Sequence, residues 1–188
     1  MNTATLVKTL YEDFVTHERD LSRPGLHAVA SHRFGTWVHS LPRSLTRKPL
    51  VAAYRASYAW CRNIYGIELP YSAHLGRRVR VDHQGDIVVH GNSYIGDDCV
   101  LRQGVTLGMR SHPAEAPILR NGVSVGVRAS ILGRVTVGVG VRVAAHSLVT
   151  RNVPDFGRVS DLDRMNERAP SGMYVNEDGS WEAWNVGG

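Results

Sequence analysis

The sequence predicts a mainly β protein, a parallel β-helix of hexapeptide repeats with a short N-terminal α-helical cap. Three observations carry this. Apolar residues return at every sixth position between Leu69 and Pro154, the fifth position of the same hexads is mostly small, and the residues ahead of them follow helical spacing instead.

Position one reads Leu69, Leu75, Val81 and Ile87, resumes after a two-residue insertion at Ile95, Leu101 and Leu107, and continues through Leu119, Val125, Ile131, Val137, Val143 and Val149. Position five reads Ala73, Val79, Gly85, Gly91, Cys99 and Val105, then Val123, Ala129, Val135, Val141, Ser147 and Val153. A half-buried strand has a period of two and an amphipathic helix one of about 3.6, so neither explains a sustained six. A solenoid does: three hexads close a triangular coil, the branched residue points into the prism and the small one fits the corner. Stacked coils pair as parallel strands about 4.8 Å apart. Gly76, Gly96, Gly108, Gly126, Gly133, Gly138 and Gly140 are expected at corners, where glycine takes a positive φ without penalty. A β-sandwich would need two-residue alternation and would not hold this phase.

Three helices are expected first. Thr3 to Val15 sets Leu6, Val7, Leu10 and Phe14 along one face. A second helix starts at Pro24, a favoured first-turn residue, and runs to about Ser40 with Leu26, Val29, Ala30, Phe34 and Trp37 inward. A third runs from near Pro49 to Ile64. Their expected role is structural, covering the open end of the solenoid, which otherwise presents unpaired strand edges. The boundaries follow as 1–66 for the cap, 67–154 for the β-helix and 155–188 for a C-terminal extension. That extension is charged and glycine-rich with Trp181 and Trp184, and is expected to pack on the coil or stay loose.

The repeat breaks twice. The two-residue insertion is assigned to Gly91–Tyr94, and the segment 108–118 carries residues from Met109 to Pro117 that are expected to leave the core as a loop.

The 188 residues suit one principal domain with appendages. The net charge of +5, with no basic cluster interleaved with aromatics on one element, points to phosphorylated ligands rather than nucleic acid. Cys61 and Cys99 fall in incompatible settings and read as buried apolar groups in a reducing compartment. Lys8, Glu12 and Asp13 interrupt the apolar positions of the first residues, which argues against a secretory leader or membrane span; a cytoplasmic protein is expected.

Nine histidines occur. His17, His27, His32 and His39 lie in the helical part and are expected on its surface or in capping roles. His83, within Val81-Asp82-His83-Gln84-Gly85-Asp86, faces outward beside Asp82. An imidazole is a competent general base near neutral pH, and a neighbouring carboxylate fixes its tautomer and stabilises the cation it becomes. His112 and Arg110 lie on the excursion loop.

Gly66-Ile67-Glu68-Leu69, Leu75-Gly76-Arg77-Arg78, Val81-Asp82-His83, Gly91 with Ile95-Gly96-Asp97-Asp98, and Gln103-Gly104-Val105-Thr106-Leu107-Gly108 together resemble the serine O-acetyltransferases of the hexapeptide acyltransferase superfamily. Pro24-Gly25-Leu26-His27-Ala28 with His32-Arg33 resemble the end of that family's helical domain, so the likeness covers roughly residues 24–154. It implies a left-handed β-helix, a homotrimer whose further pairing into a dimer of trimers is left open, and acetyl-CoA held between the coils of neighbouring subunits. It also implies that His83 is the general base, that Glu68 holds it where the family has an Asp, and that Asp82 lines the acceptor pocket. Asp20 stands in for the serine-binding Asp, while His112 and Arg110 reach the site from the loop. The implied acetyl-CoA contacts are Gly104, Thr106, Gly108, Gly126, Arg128 and Ala144. No metal is implied.

The chain departs from the family in four places. Where the family has Arg-His-Pro, Ala116 takes the His place and Ser111-His112-Pro113 falls four residues early. The longer helical segment of the family is absent. After Val153-Pro154, a Gly-x-Pro-Ala-Arg-like stretch is replaced by Asp155-Phe156-Gly157-Arg158-Val159-Ser160. The chain ends in Gly187-Gly188 rather than isoleucine, so no complex with the next enzyme of cysteine synthesis is expected through that end. A short helical domain is also similar to exopolysaccharide acetyltransferases such as those of colanic acid synthesis. The expected function is therefore CoA-dependent O-acetyl transfer with serine as the leading acceptor, or alternatively onto a sugar hydroxyl of a surface polysaccharide. A γ-type carbonic anhydrase would need a histidine spacing that His83, His90 and His112 lack, and a purely structural solenoid would need none of them.

Overall fold

The computed structural model describes residues 2–45, 47–112 and 115–160, and the backbone of 173–175 and 181–183. Five coils of parallel β-helix form the body. The first is β1 (Ile67–Glu68), β2 (His74–Leu75) and β3 (Arg80–Asp82), and the second is β4 (Ile87–Val89), β5 (Tyr94–Ile95) and β6 (Val100–Arg102). The third is β7 (Thr106–Gly108), β8 (Ile118–Leu119) and β9 (Ser124–Val125), and the fourth is β10 (Ser130–Leu132), β11 (Thr136–Val137) and β12 (Arg142–Val143). The fifth opens with β13 (Leu148–Val149) and closes with β14 (Arg158–Val159). Wall A stacks β1-β4-β7-β10-β13, wall B β2-β5-β8-β11, and wall C β3-β6-β9-β12-β14.

The hexad register is the cause of this stacking. Leu75, Ile95, Leu119 and Val137 align down wall B, and Val81, Leu101, Val125 and Val143 down wall C, every one of them buried. Wall A corrects the sequence reading. Leu107 pairs with Val89, not Ile87, so the regular series runs Val81, Val89, Ile95, and the two extra residues lie in the corner 83–86 rather than at Gly91–Tyr94. The irregular corner is the one that carries His83.

The glycines also act differently from expectation. Only Gly133 and Gly140 of the seven have positive φ, whereas Arg78, Asp98, Arg128 and His146 turn corners with positive φ despite their side chains. Gly96, Gly126 and Gly138 are needed for close approach instead: a Cβ at Gly126 would stand 2.5 Å from the Ala145 nitrogen of the next coil.

The segment 109–117 does leave the coil between β7 and β8, but its end returns to the interior, with Ala116 and Pro117 buried at the small-residue corner before Leu119. The coil also runs past residue 154. The repeat is hidden there because it loses two residues: Val153, not Asp155, bridges to Val137, and Asp155 stands at the corner, where its carboxylate accepts the Val139 N–H at 2.8 Å. Of the expected extension, β15 (Met173–Val175) and β16 (Trp181–Ala183) pair antiparallel, and Trp184 and Gly187-Gly188 lie outside the described residues.

The cap is α1 (Thr3–Thr16), α2 (Pro24–Ser40) and α3 (Arg47–Ile64), the last beginning a little before the expected Pro49. It closes the first coil through polar groups that sequence periodicity did not show. Arg33 donates to the carbonyls of Leu75 at 2.6 Å and Gly76 at 2.5 Å, and His32 Nε2 to that of Ala73 at 2.9 Å, so the open edge of β2 gains partners from α2. Gly25 lets α2 touch the backbone of Val81, where any Cβ would collide with its carbonyl. Accordingly Val7 is 62 % exposed, and Ala30, Phe34 and Trp37 are only half-buried, because the face toward the coil is built around Gly25, Ala28, Val29, His32 and Arg33. Cys61 and Cys99 are free and buried, and burial pushes the Cys99 thiol up to about 11. Among the described residues no helix is long and apolar enough to cross a membrane.

Candidate functional site

His83 is exposed at the corner between β3 and β4, with φ 66°, and the same corner holds Gly85 and Asp86 at positive φ. This corner is two residues longer than the corners of the following coils on the same edge. The strand leading into it is clamped. His17 Nδ1 donates to the Asp13 carbonyl at 2.7 Å, which leaves Nε2 to accept the Val81 N–H at 3.2 Å. Burial lowers the pKa of that ring, so it stays the neutral acceptor that the arrangement needs. Asp82, next to His83, pairs with Arg80 at 2.8 Å, and Arg80 also lies 3.5 Å from Glu18 just past α1.

Below His83 the same prism edge continues as a column of backbone hydrogen bonds, Gly104 N–H to Gly85, Arg128 N–H to Gln103, and His146 N–H to Val127. Beside this edge, wall C forms a groove of about 880 Å³ reaching from the second coil to the fifth. Its lining includes Arg102, Ser124, Gly126, Arg142, Ala144 and Arg158. Three guanidiniums and a floor of small residues suit an extended ligand bearing negative charge.

The structure divides the predicted residues among several places. Gly126 and Ala144 line the groove, Gly104 and Arg128 pack on each other at the adjoining edge, and Thr106 and Gly108 lie on β7 in wall A. Glu68 lies on β1, the wall into which His83's corner leads, and its Oε1 accepts the Tyr58 hydroxyl at 3.2 Å. Burial and that carboxylate together push the Tyr58 phenol up to about 12. Asp20 sits in the turn after α1, where the Ser22 N–H and hydroxyl donate to it and hold its carboxyl below the usual range. Arg110 and His112 are exposed on the loop between walls A and B, a different prism edge from that of His83. Within one chain, then, His83 shares its prism edge with Gly104 and Arg128 and its corner adjoins wall C, which carries the groove, but it is not brought together with the loop.

Sequence reasoning missed Arg80, Glu18, Tyr58 and the arginines of the groove. A signal existed for Arg102 and Arg142: they flank the inward residues Leu101 and Val143, so the repeat itself turns them outward. None existed for Glu18 or Tyr58, whose partners Arg80 and Glu68 lie on other elements of the fold.

Fold and site together define a hexapeptide-repeat β-helix protein with an arginine-lined groove on one wall and an exposed histidine at a lengthened corner of the same wall. No protein-family model matches the chain. The serine acetyltransferase of Synechococcus elongatus is 33% identical over 162 residues, 79% of this chain and 64% of that protein. That of Staphylococcus xylosus is 31% identical over 160 residues, 84% of this chain and 67% of that protein. The crystal structure of serine acetyltransferase in complex with coenzyme A from Brucella abortus strain S19 matches with a TM-score of 0.71 at 26% identity, over 84% of this chain and 65% of that one. The chain belongs to the serine acetyltransferase family. It spans less than two thirds of the length of the Synechococcus relative.

Proposed function

We propose that this protein transfers the acetyl group of acetyl-CoA to the hydroxyl of a small acceptor, with serine as the leading acceptor. The observation that supports this reading is the lengthened, exposed corner of His83 on the edge of wall C, the wall whose groove is lined by Arg102, Arg142 and Arg158. The groove spans four coils, roughly 14 Å from first strand to last at ordinary inter-strand spacing, which suits a long phosphorylated carrier lying along the edge with its thioester toward His83. Arg102, Arg142 and Arg158 hold the phosphates.

His83 takes the proton of the acceptor hydroxyl as its oxygen bonds to the thioester carbon. The C–S bond breaks, and the proton passes from the imidazolium to the departing thiolate. A positioned base contributes about a hundred- to ten-thousand-fold to such a step. With Tyr58 on Oε1 of Glu68, Oε2 is the oxygen assigned to orient the imidazole. Asp82, steadied by Arg80, faces the acceptor. The separation of His83 and the 109–117 loop on two edges supports a homotrimer in which a neighbour's loop, with Arg110 and His112, covers the corner. Free buried thiols suit the reducing cytoplasm.

A sugar hydroxyl is the second reading, favoured by two observations. Ala116, in the place of the family's histidine, is buried, and Asp20 is engaged by Ser22 and Arg23. Following free thiol while the protein is incubated with acetyl-CoA and serine, then with candidate glycans, separates them. Release with serine supports the first reading, release with a glycan alone supports the second, and no release above hydrolysis with any acceptor removes both.

A further inference from the structure

Between Asp20 and Glu68 the chain contains no acidic residue, yet it carries Arg23, Arg33, Arg43, Arg47, Lys48, Arg55 and Arg62. These are seven of the 22 basic residues, leaving fifteen against seventeen acidic ones elsewhere, so the positive charge of the protein resides in the cap. Arg33 and Arg23 are used in ion pairs with Asp13, Glu18 and Asp20. The rest gather on and just before α3.

Along this 18-residue helix, about 27 Å long, Lys48, Arg55 and Arg62 recur seven apart and form one exposed stripe. On the other flank of the exposed face, about 150° around the helix at 3.6 residues per turn, runs an apolar stripe of Pro49, Ala53, Trp60 and Ile64, with Trp60 57 % and Ile64 59 % accessible and Ala52 and Ala56 exposed between the two stripes. At the head of the helix is a cleft of about 680 Å³ lined by the apolar Leu45, Val51 and Ala52 together with Arg43, Arg47 and Arg55. Leu45 is 79 % exposed, and Arg47 Nε is buried with no hydrogen-bond partner among the described residues.

We infer that α3 and the segment before it dock the protein onto a bilayer surface rich in acidic phospholipid. Cations along one flank of the exposed face and Trp60 with Ile64 along the other, with Ala52 and Ala56 between them, let that face lie on the headgroup boundary, the cations at the phosphates and the apolar flank toward the acyl chains. A cleft lined by cations and apolar side chains together likewise complements a phosphate headgroup on its acyl chain. A second copy of the same face would oppose like charges, since this region has no acid to pair with them. A soluble polyanion such as a nucleic acid would use the cations but not Ile64 or Leu45. Tyr54 is buried and Tyr58 is tied to Glu68, which leaves Trp60 as the exposed ring of the helix for stacking.

Co-sedimentation of the full chain with vesicles of phosphatidylcholine alone, and of phosphatidylcholine with phosphatidylglycerol, tests this. Binding is expected only to the acidic vesicles and is weakened by salt. K48E/R55E should lower it about tenfold or more with thermal melting unchanged at these exposed positions, and W60S severalfold with the helical circular dichroism signal retained. Absent or equal binding to the two vesicle types overturns the proposal. So does tight binding to heparin or short DNA that W60S leaves intact, which marks a soluble polyanion, or loss of an oligomer in K48E/R55E without any vesicle binding, which marks an interface between copies.

Discussion

Arg33 and Asp13 form an ion pair inside the seam between cap and coil, with Arg33 Nε 2.9 Å from Asp13 Oδ2. The same guanidinium donates to two carbonyls of the first coil, so α1, α2 and β2 are joined at one buried cation. The solenoid's open edge is thereby closed without an extra strand.

Removing one partner leaves the other charge buried and uncompensated, which costs about 3 to 5 kcal/mol. Asp13→Ala should therefore lower the melting temperature far more than Glu18→Ala, which removes only the exposed pairs with Arg23 and Arg80. Equal, small shifts in the two variants on a thermal melt would show that the seam does not hold the cap.

His32 supplies an acid-sensitive component. Its ring is buried, and burial depresses its pKa from 6.5 to about 4. The unfolded chain then takes up this proton first, so the stability due to neutral His32 is present above about pH 6.5 and is lost as pH falls toward 4, on the order of 3 kcal/mol in all. Asp13, whose carboxyl burial raises despite Arg33, works in the opposite direction, so the comparison needs a variant. His32→Gln keeps a donor for the Ala73 carbonyl and should flatten denaturant-measured stability between those pH values. A profile with the wild-type slope would assign the acid sensitivity elsewhere.

In the groove, Arg142→Ala should raise the KM for acetyl-CoA about tenfold and leave kcat within about twofold, since a charged hydrogen bond to a remote phosphate serves binding rather than chemistry. Steady-state kinetics at low salt checks this. A fall in kcat at unchanged KM would place Arg142 at the reacting atoms instead.

The interior of the solenoid was legible because burial there is periodic: Leu101, Val125 and Val143 are stacked by nothing more than equal spacing. The cap was legible as helices but not as a docking surface, because Asp13, His17, His32 and Arg33 are buried through partners that lie 20 to 64 residues away in the chain. The insertion could be detected but was placed wrongly, since Ile87 and Val89 are both buried and both branched, and only the pairing of Val89 with Leu107 decides between them. His83 was visible as an outward position. That Glu68 holds Tyr58, and that the 109–117 loop rises from another edge, are matters of three-dimensional closure that spacing does not encode.

The most direct measurement is acetyl-transfer turnover of His83→Ala, with circular dichroism and sedimentation establishing that fold and assembly are intact. His83 is exposed and makes no core contact, so the fold should survive while kcat drops by about two orders of magnitude or more, with Glu68→Gln milder. A variant that turns over at the wild-type rate would contradict the assignment of His83 as the base.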